Sequence, residues 1–243
     1  MGRIIILAIV TLALIAYSIA ALWIGINGIT AINVIERLPL IFSPAEFVYL
    51  FSFVLYTGLF IYVWQAYQNR QTAFVITKLQ VSLFTIACGL QIAFFHMWQY
   101  GHYTTSFILL ALQLLSLFGL YLTYPFYKKT ISLRLPIAMW LGWNLFFILI
   151  IFSYIILYYE WNGFGLSNAL WAVILLTIGA AAAIHLRYYH FDRVTPAIFA
   201  FCYIGIAVAN GFEELLVSAA ALFLCGVMVT GIIFMEKNKK KDT

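Results

Sequence analysis

Eight apolar runs, each close to the length a helix needs to cross a bilayer, constrain this chain more than any other feature. A hydrocarbon core about 30 Å thick requires roughly 20 residues at a rise of about 1.5 Å each. Runs of that kind, bounded by charge, Pro or Gly, fall at about 4–26, 44–66, 79–99, 103–125, 136–158, 168–187, 195–211 and 214–235. The last two are separated only by Asn210-Gly211-Phe212-Glu213-Glu214. A single helix through that stretch would hold two carboxylates at its centre, at a high cost in hydrocarbon, so a break is expected there. The predicted fold is all-α: a polytopic transmembrane helical bundle of about eight spans. Composition agrees, because 65% hydrophobic and 9% charged residues leave too little polar surface to coat a water-soluble globule of 243 residues. The opening apolar run is longer than a signal-peptide core and no Ala-x-Ala site follows it, so it reads as a first span.

Charge supplies the orientation. Of the 13 Lys and Arg, Arg37 alone falls on one side of the eight spans. The other side collects Arg3, Arg70, Lys78, Lys128, Lys129, Arg134, Arg187, Arg193 and a basic tail, 236–243, with Lys237, Lys239, Lys240 and Lys241. Basic residues accumulate in cytoplasmic loops, which predicts a multi-pass plasma-membrane protein with both termini cytoplasmic. Basic residues in short gaps between apolar runs describe topology, so no nucleic-acid partner is expected. Cys88, Cys202 and Cys225 lie inside apolar runs without metal-ligand spacing, and no metal or cofactor is expected. The longest loop is 27–43, which leaves no room for a catalytic domain.

Any activity therefore sits within the bundle or at its mouths. Counting from the span ends puts Tyr56, Gln91, Gln113 and Asn144 near the bilayer midplane. Each must find a polar partner there, either another helix or a bound molecule. Aromatic residues recur at helical spacing: Tyr49, Phe53, Tyr56, Trp64 and Tyr67 on the second span, and Trp140 and Trp143 with Asn144 on the fifth. Such faces can wall a pocket for a flat apolar ligand oriented by midplane amides. The candidate ligand-binding set is Tyr49, Phe53, Tyr56, Gln91, Trp140, Trp143 and Asn144. Trp23, Trp98, Tyr158, Tyr159 and Trp161, near span ends, read as interfacial anchors.

No residue is singled out as catalytic. Spans six to eight lack a mid-span lysine for a retinal, and Glu213/Glu214 is followed by Ser218 where an EExxxR protease has arginine. Nucleotide-binding glycines are missing too. A secondary transporter of a small solute or a non-catalytic subunit of a membrane complex stay open as alternatives. The small-residue run Gly179 to Ala183 favours close helix packing, and a homodimer is compatible with the sequence.

The order of these features resembles the TspO/MBR family, the tryptophan-rich sensory or translocator proteins. Ser43-Pro44-Ala45-Glu46-Phe47, leading into a span with Tyr56 and Trp64, resembles the opening of that family's second helix. Leu135-Pro136 with Trp140-Leu141-Gly142-Trp143 resembles the signature of its fifth helix in the longer members. Trp98-Gln99-Tyr100, Trp171-Ala172-Val173 and Gly205-Ile206-Ala207 follow in the expected order, so the resemblance runs from about Asn27 to Gly226. It implies a five-helix core over 1–160 and three additional transmembrane helices over 161–235. It also implies a pocket under the 27–43 loop that takes a porphyrin-like tetrapyrrole or a sterol for sensing, transport or porphyrin breakdown. The chain departs from the family pattern at Ser52, Phe53, Glu46 and Ile151.

Overall fold

The computed structural model describes residues 1–71, 75–124 and 131–235, with backbone only for Ile131. Lys128, Lys129 and the basic tail with Lys237, Lys239, Lys240 and Lys241 lie outside the described residues. Helices account for nearly all that remains: α1 (Gly2–Ile19), α2 (Ala31–Ile35), α3 (Phe51–Gln68), α4 (Lys78–Gln99), α5 (Tyr103–Leu122), α6 (Ile131–Tyr158), α7 (Asn168–His190), α8 (Val194–Asn210) and α9 (Leu215–Phe234). Seven helical stretches are long and apolar enough to cross a membrane, and α8, at 17 residues, is a shorter apolar helix. The eight expected runs are thus all helical. The shortest, α8, would rise only about 26 Å.

Local chemistry explains the boundaries. Thr77 and Gln80 form a capping box at the start of α4: Thr77 Oγ1 accepts from the Gln80 N–H (3.2 Å) and Gln80 Oε1 from the Thr77 N–H (2.9 Å). Ser167 caps α7 by accepting from the Leu170 N–H at 3.2 Å. The break between α8 and α9 falls where two carboxylates made it necessary. There Gly211 takes φ 49°, and Ser218 Oγ donates to the Gly211 carbonyl at 2.8 Å. The same hydroxyl reaches the Ala207 carbonyl at 3.4 Å, so it serves carbonyls left over at the end of α8.

The chain divides into two compact units: residues 1–40 with 50–161, and residues 41–49 with 162–243. In the first, α1 packs on α4, α4 on α5, α5 on α6, α6 on α3 and α3 back on α1. Those pairings close a ring of five helices. Its core is aromatic: Tyr62 stacks on Phe84 at 5.1 Å, Phe84 meets the edge of Trp140 at 5.6 Å, and Phe94 stacks on Trp98 at 6.2 Å. Arg134, within the first turns of α6, is buried and donates to the Tyr121 hydroxyl, lying over that ring at 4.4 Å.

In the second unit α7, α8 and α9 each pack on the other two, a triangle of helices, and residues 41–49 lie along α8. Three contacts seat that segment. The Ala45 N–H donates to the Gly205 carbonyl (3.0 Å), Asn210 Nδ2 to the Ile41 carbonyl (2.9 Å), and Phe47 meets the edge of Phe201 at 5.8 Å. The approach requires glycine at 205, where a Cβ would come within 2.2 Å of Val48 Cγ2 and 3.3 Å of Pro44 Cβ. Arg187, expected in a basic loop, is instead an α7 residue only 3% exposed. It donates to the Gly231 (3.2 Å), Ile232 (3.3 Å) and Met235 carbonyls, capping the C-terminal end of α9.

Candidate ligand-binding site

The five-helix ring brings together a cluster that sequence depth alone could only align. Gln91 on α4, Gln113 on α5 and Trp140 on α6 meet at one atom: Gln91 Oε1 accepts from Gln113 Nε2 at 2.6 Å and from Trp140 Nε1 at 3.4 Å. Gln113 is 0% exposed and Trp140 1%. Asn144 stands one helical turn beyond Trp140 on the same face of α6 and is 2% exposed. The Oε1 of Gln113 and the Oδ1 of Asn144 are buried and accept no hydrogen bond. A buried acceptor without a donor costs about 1–3 kcal/mol in proteins and more in hydrocarbon.

Trp143 points to another part of the ring. It is half-buried and packs at 5.2 Å against Phe51 of α3 and at 6.2 Å, stacked, against Phe147. Tyr56 is 7% exposed, with its hydroxyl beside those of Ser18 and Ser52. Phe53 touches Tyr56 edge-on at 6.4 Å but is 47% exposed and stacks on Trp23 at 5.5 Å. The aromatic stripe of α3 therefore straddles the edge of the buried face, with Tyr56 inside and Phe53 and Trp64 outside. Tyr49 belongs to the other unit, where its hydroxyl shares a 3.3 Å hydrogen bond with Ser43.

Two features of the structure lie outside what the sequence predicts. Gln113 was visible as a midplane amide yet left out of the ligand-binding set, because its partner on α4 is set by helix packing. Trp98, expected at the interface as an anchor, is instead 0% exposed and ringed by Tyr103 at 5.0 Å and Tyr154 at 4.8 Å. Its Nε1 donates to the Ala31 carbonyl at 3.1 Å, while Gln99 Nε2 donates to the Ala21 (3.0 Å) and Ile29 (2.6 Å) carbonyls. Together these side chains tie the turn after α1 and the start of α2 to the end of α4. That turn is built on Asn27 and Gly28 at φ 59° and 76°, the left-handed pair that Asn-Gly favours. A wider turn, Ala20–Ile24, with the Gly25 N–H donating to the Ala20 carbonyl at 2.7 Å, leads into it.

These features define a polytopic α-helical membrane protein with a five-helix ring and a buried amide and indole cluster inside it. A family model described as TSPO-like protein matches residues 4–234, and the chain belongs to that TSPO-like family. No curated protein and no solved structure matches the chain.

Proposed function

We propose that the five-helix ring binds a flat hydrophobic small molecule, tetrapyrrole-like or sterol-like, and that the protein serves in its sensing or transport. The observation that carries this reading is the Gln91, Gln113 and Trp140 cluster, with acceptors left open on Gln113 and Asn144 in a wall of aromatic rings. Membership of the TSPO-like family supports it. Tyr56, Trp143 and Phe53 supply stacking surface and Gln91 and Asn144 polar contacts, while the three-helix unit forms an extension to the core. Both termini are placed in the cytoplasm and the protein in the plasma membrane, on the distribution of Lys and Arg.

Purified protein titrated with protoporphyrin IX tests the reading through quenching of tryptophan fluorescence. Saturable quenching in the micromolar range, weakened about tenfold in Trp143→Leu, is the expected result, a loss of roughly 1.4 kcal/mol of stacking. Quenching that never saturates and is identical in the variant would leave the family membership as a statement about fold.

A further inference from the structure

In the three-helix unit, α7 and α9 form an open groove with a volume of about 640 Å³. Its walls are apolar: Ile184 of α7, and Phe223, Gly226, Val227, Gly231 and Phe234 along one stripe of α9. Two glycines give it depth. At Gly231 a Cβ would come within 2.7 Å of Ile184 Cδ1, so the helices meet closely there, whereas at Gly226 a Cβ would meet nothing within 4 Å. The hydroxyl in the lining, that of Thr230, donates to the Gly226 carbonyl at 2.8 Å and so offers no free proton to an occupant. From Phe223 to Phe234 the helix rises about 17 Å, close to the depth of one leaflet of a hydrocarbon core about 30 Å thick.

One end of the groove is cationic. Gly231 and Met235 both line it, and both give their carbonyls to Arg187, so the 3%-exposed guanidinium lies against the end wall. Those bonds and the one to Ile232 use Nε and Nη2, not Nη1. Neither α7 nor α9 contains an Asp or Glu. Asp192, whose charge reaches Arg187, gives its two oxygens to the Val194 N–H and to Thr195 Oγ1, and Arg193 adds a second positive charge. A second copy docking by the same face would bring another Arg187 and no carboxylate, so charge opposes that pairing. An apolar chain joined to an anionic head satisfies both parts of the groove. We infer that it binds an anionic phospholipid, with one acyl chain lying between Phe223 and Phe234 and the phosphate beside Arg187 and Arg193. This lipid site is independent of the five-helix ring and of what the ring binds.

Native mass spectrometry of the full chain in mild detergent, incubated with equal amounts of dioleoylphosphatidylglycerol and dioleoylphosphatidylcholine, makes the test. The wild type is expected to retain one phosphatidylglycerol with about fivefold preference, roughly the contribution of one basic residue at an anionic lipid surface. Gly226→Leu starts its side chain in open space, so it should abolish retention while thermal unfolding stays unchanged. Arg187→Met should remove the preference, and Arg193→Gln, away from the α9 carbonyls, should at least halve it and decides the matter if Arg187→Met fails to fold. No preference in the wild type would overturn the inference. A preference that survives Gly226→Leu would also overturn it, assigning the lipid to the lysines that follow Met235 in the sequence. Retention lost in Gly226→Leu but untouched by both arginine variants would overturn the headgroup assignment. A dimer without retained lipid, dissociated by Gly226→Leu, would overturn the inference in favour of a second copy.

Discussion

The two units treat their buried polar groups in opposite ways. In the three-helix unit the buried polar residues are engaged in structure: Arg187 holds the end of α9, Asp192 accepts from the Val194 N–H (2.8 Å) and Thr195 Oγ1 (2.7 Å), and Ser218 closes the α8 to α9 turn. Tyr203 donates to the Leu176 carbonyl across α8 and α7. In the five-helix ring, polar atoms of Thr11, Gln65, Thr85, Gln99, Gln113 and Asn144 are buried without a partner, and among the described residues every such atom lies in that unit. The difference follows from helix number. In the triangle each helix packs on both of the others, whereas in the ring each helix packs chiefly on two of its four companions.

This contrast can be broken at either end. Each unit carries its own reporter, because Cys88 in the ring and Cys202 in the triangle are both buried, so thiol labelling on heating, in a Cys225→Ala background, follows the two separately. The largest effect is expected from Arg187→Met, which strips charge-assisted bonds from the end of α9 and should cost about 3 kcal/mol, exposing Cys202 well before Cys88. Next comes Gly205→Ala. Alanine is the better helix former by about 1 kcal/mol, but its methyl would meet Val48, which is buried and stiff at χ1, so a net loss of about 2 kcal/mol is expected. Adding Val48→Ala should recover part of that loss; no recovery would mean the segment 41–49 is not what the glycine accommodates.

Tyr203→Phe removes one buried hydroxyl bond and should lower stability by about 1 kcal/mol, again read at Cys202. The smallest change, and the one of opposite sign, is Asn144→Leu. With no hydrogen bond made by its carbonyl, an apolar side chain of similar size should leave the ring's stability unchanged or raise it by up to about 1 kcal/mol, while ligand binding falls. A loss at Cys88 as large as that of Tyr203→Phe at Cys202 would show that Asn144 is a structural residue and that the contrast between the units does not mark function.

Much of the fold was legible because membrane helices leave a one-dimensional trace. The length of each apolar run and the carboxylates that interrupt 210–214 act within a turn or two of chain, so their consequences can be read locally. The site was legible only in part. Depth placed Tyr56, Gln91, Gln113 and Asn144 at similar levels, but two residues at one depth can face each other or face away. Phe53 shares a helical stripe with Tyr56 and is nonetheless half exposed against Trp23.

By itself the sequence determined that this protein is a bundle of membrane helices, where those helices start and stop, and which side chains have no place in lipid without a partner, because hydrocarbon imposes those requirements on every residue independently. Tertiary structure alone decided that α4, α5 and α6 are neighbours in a ring, that residues 41–49 lie on α8, that Arg187 is buried at the end of α9, and that Trp98 serves as a tie. These outcomes depend on which helix stands beside which and at what rotation. In a membrane, where the apolar surface of one helix is much like that of another, that choice rests on a few close contacts such as Gly205 against Val48 and Gln91 against Gln113.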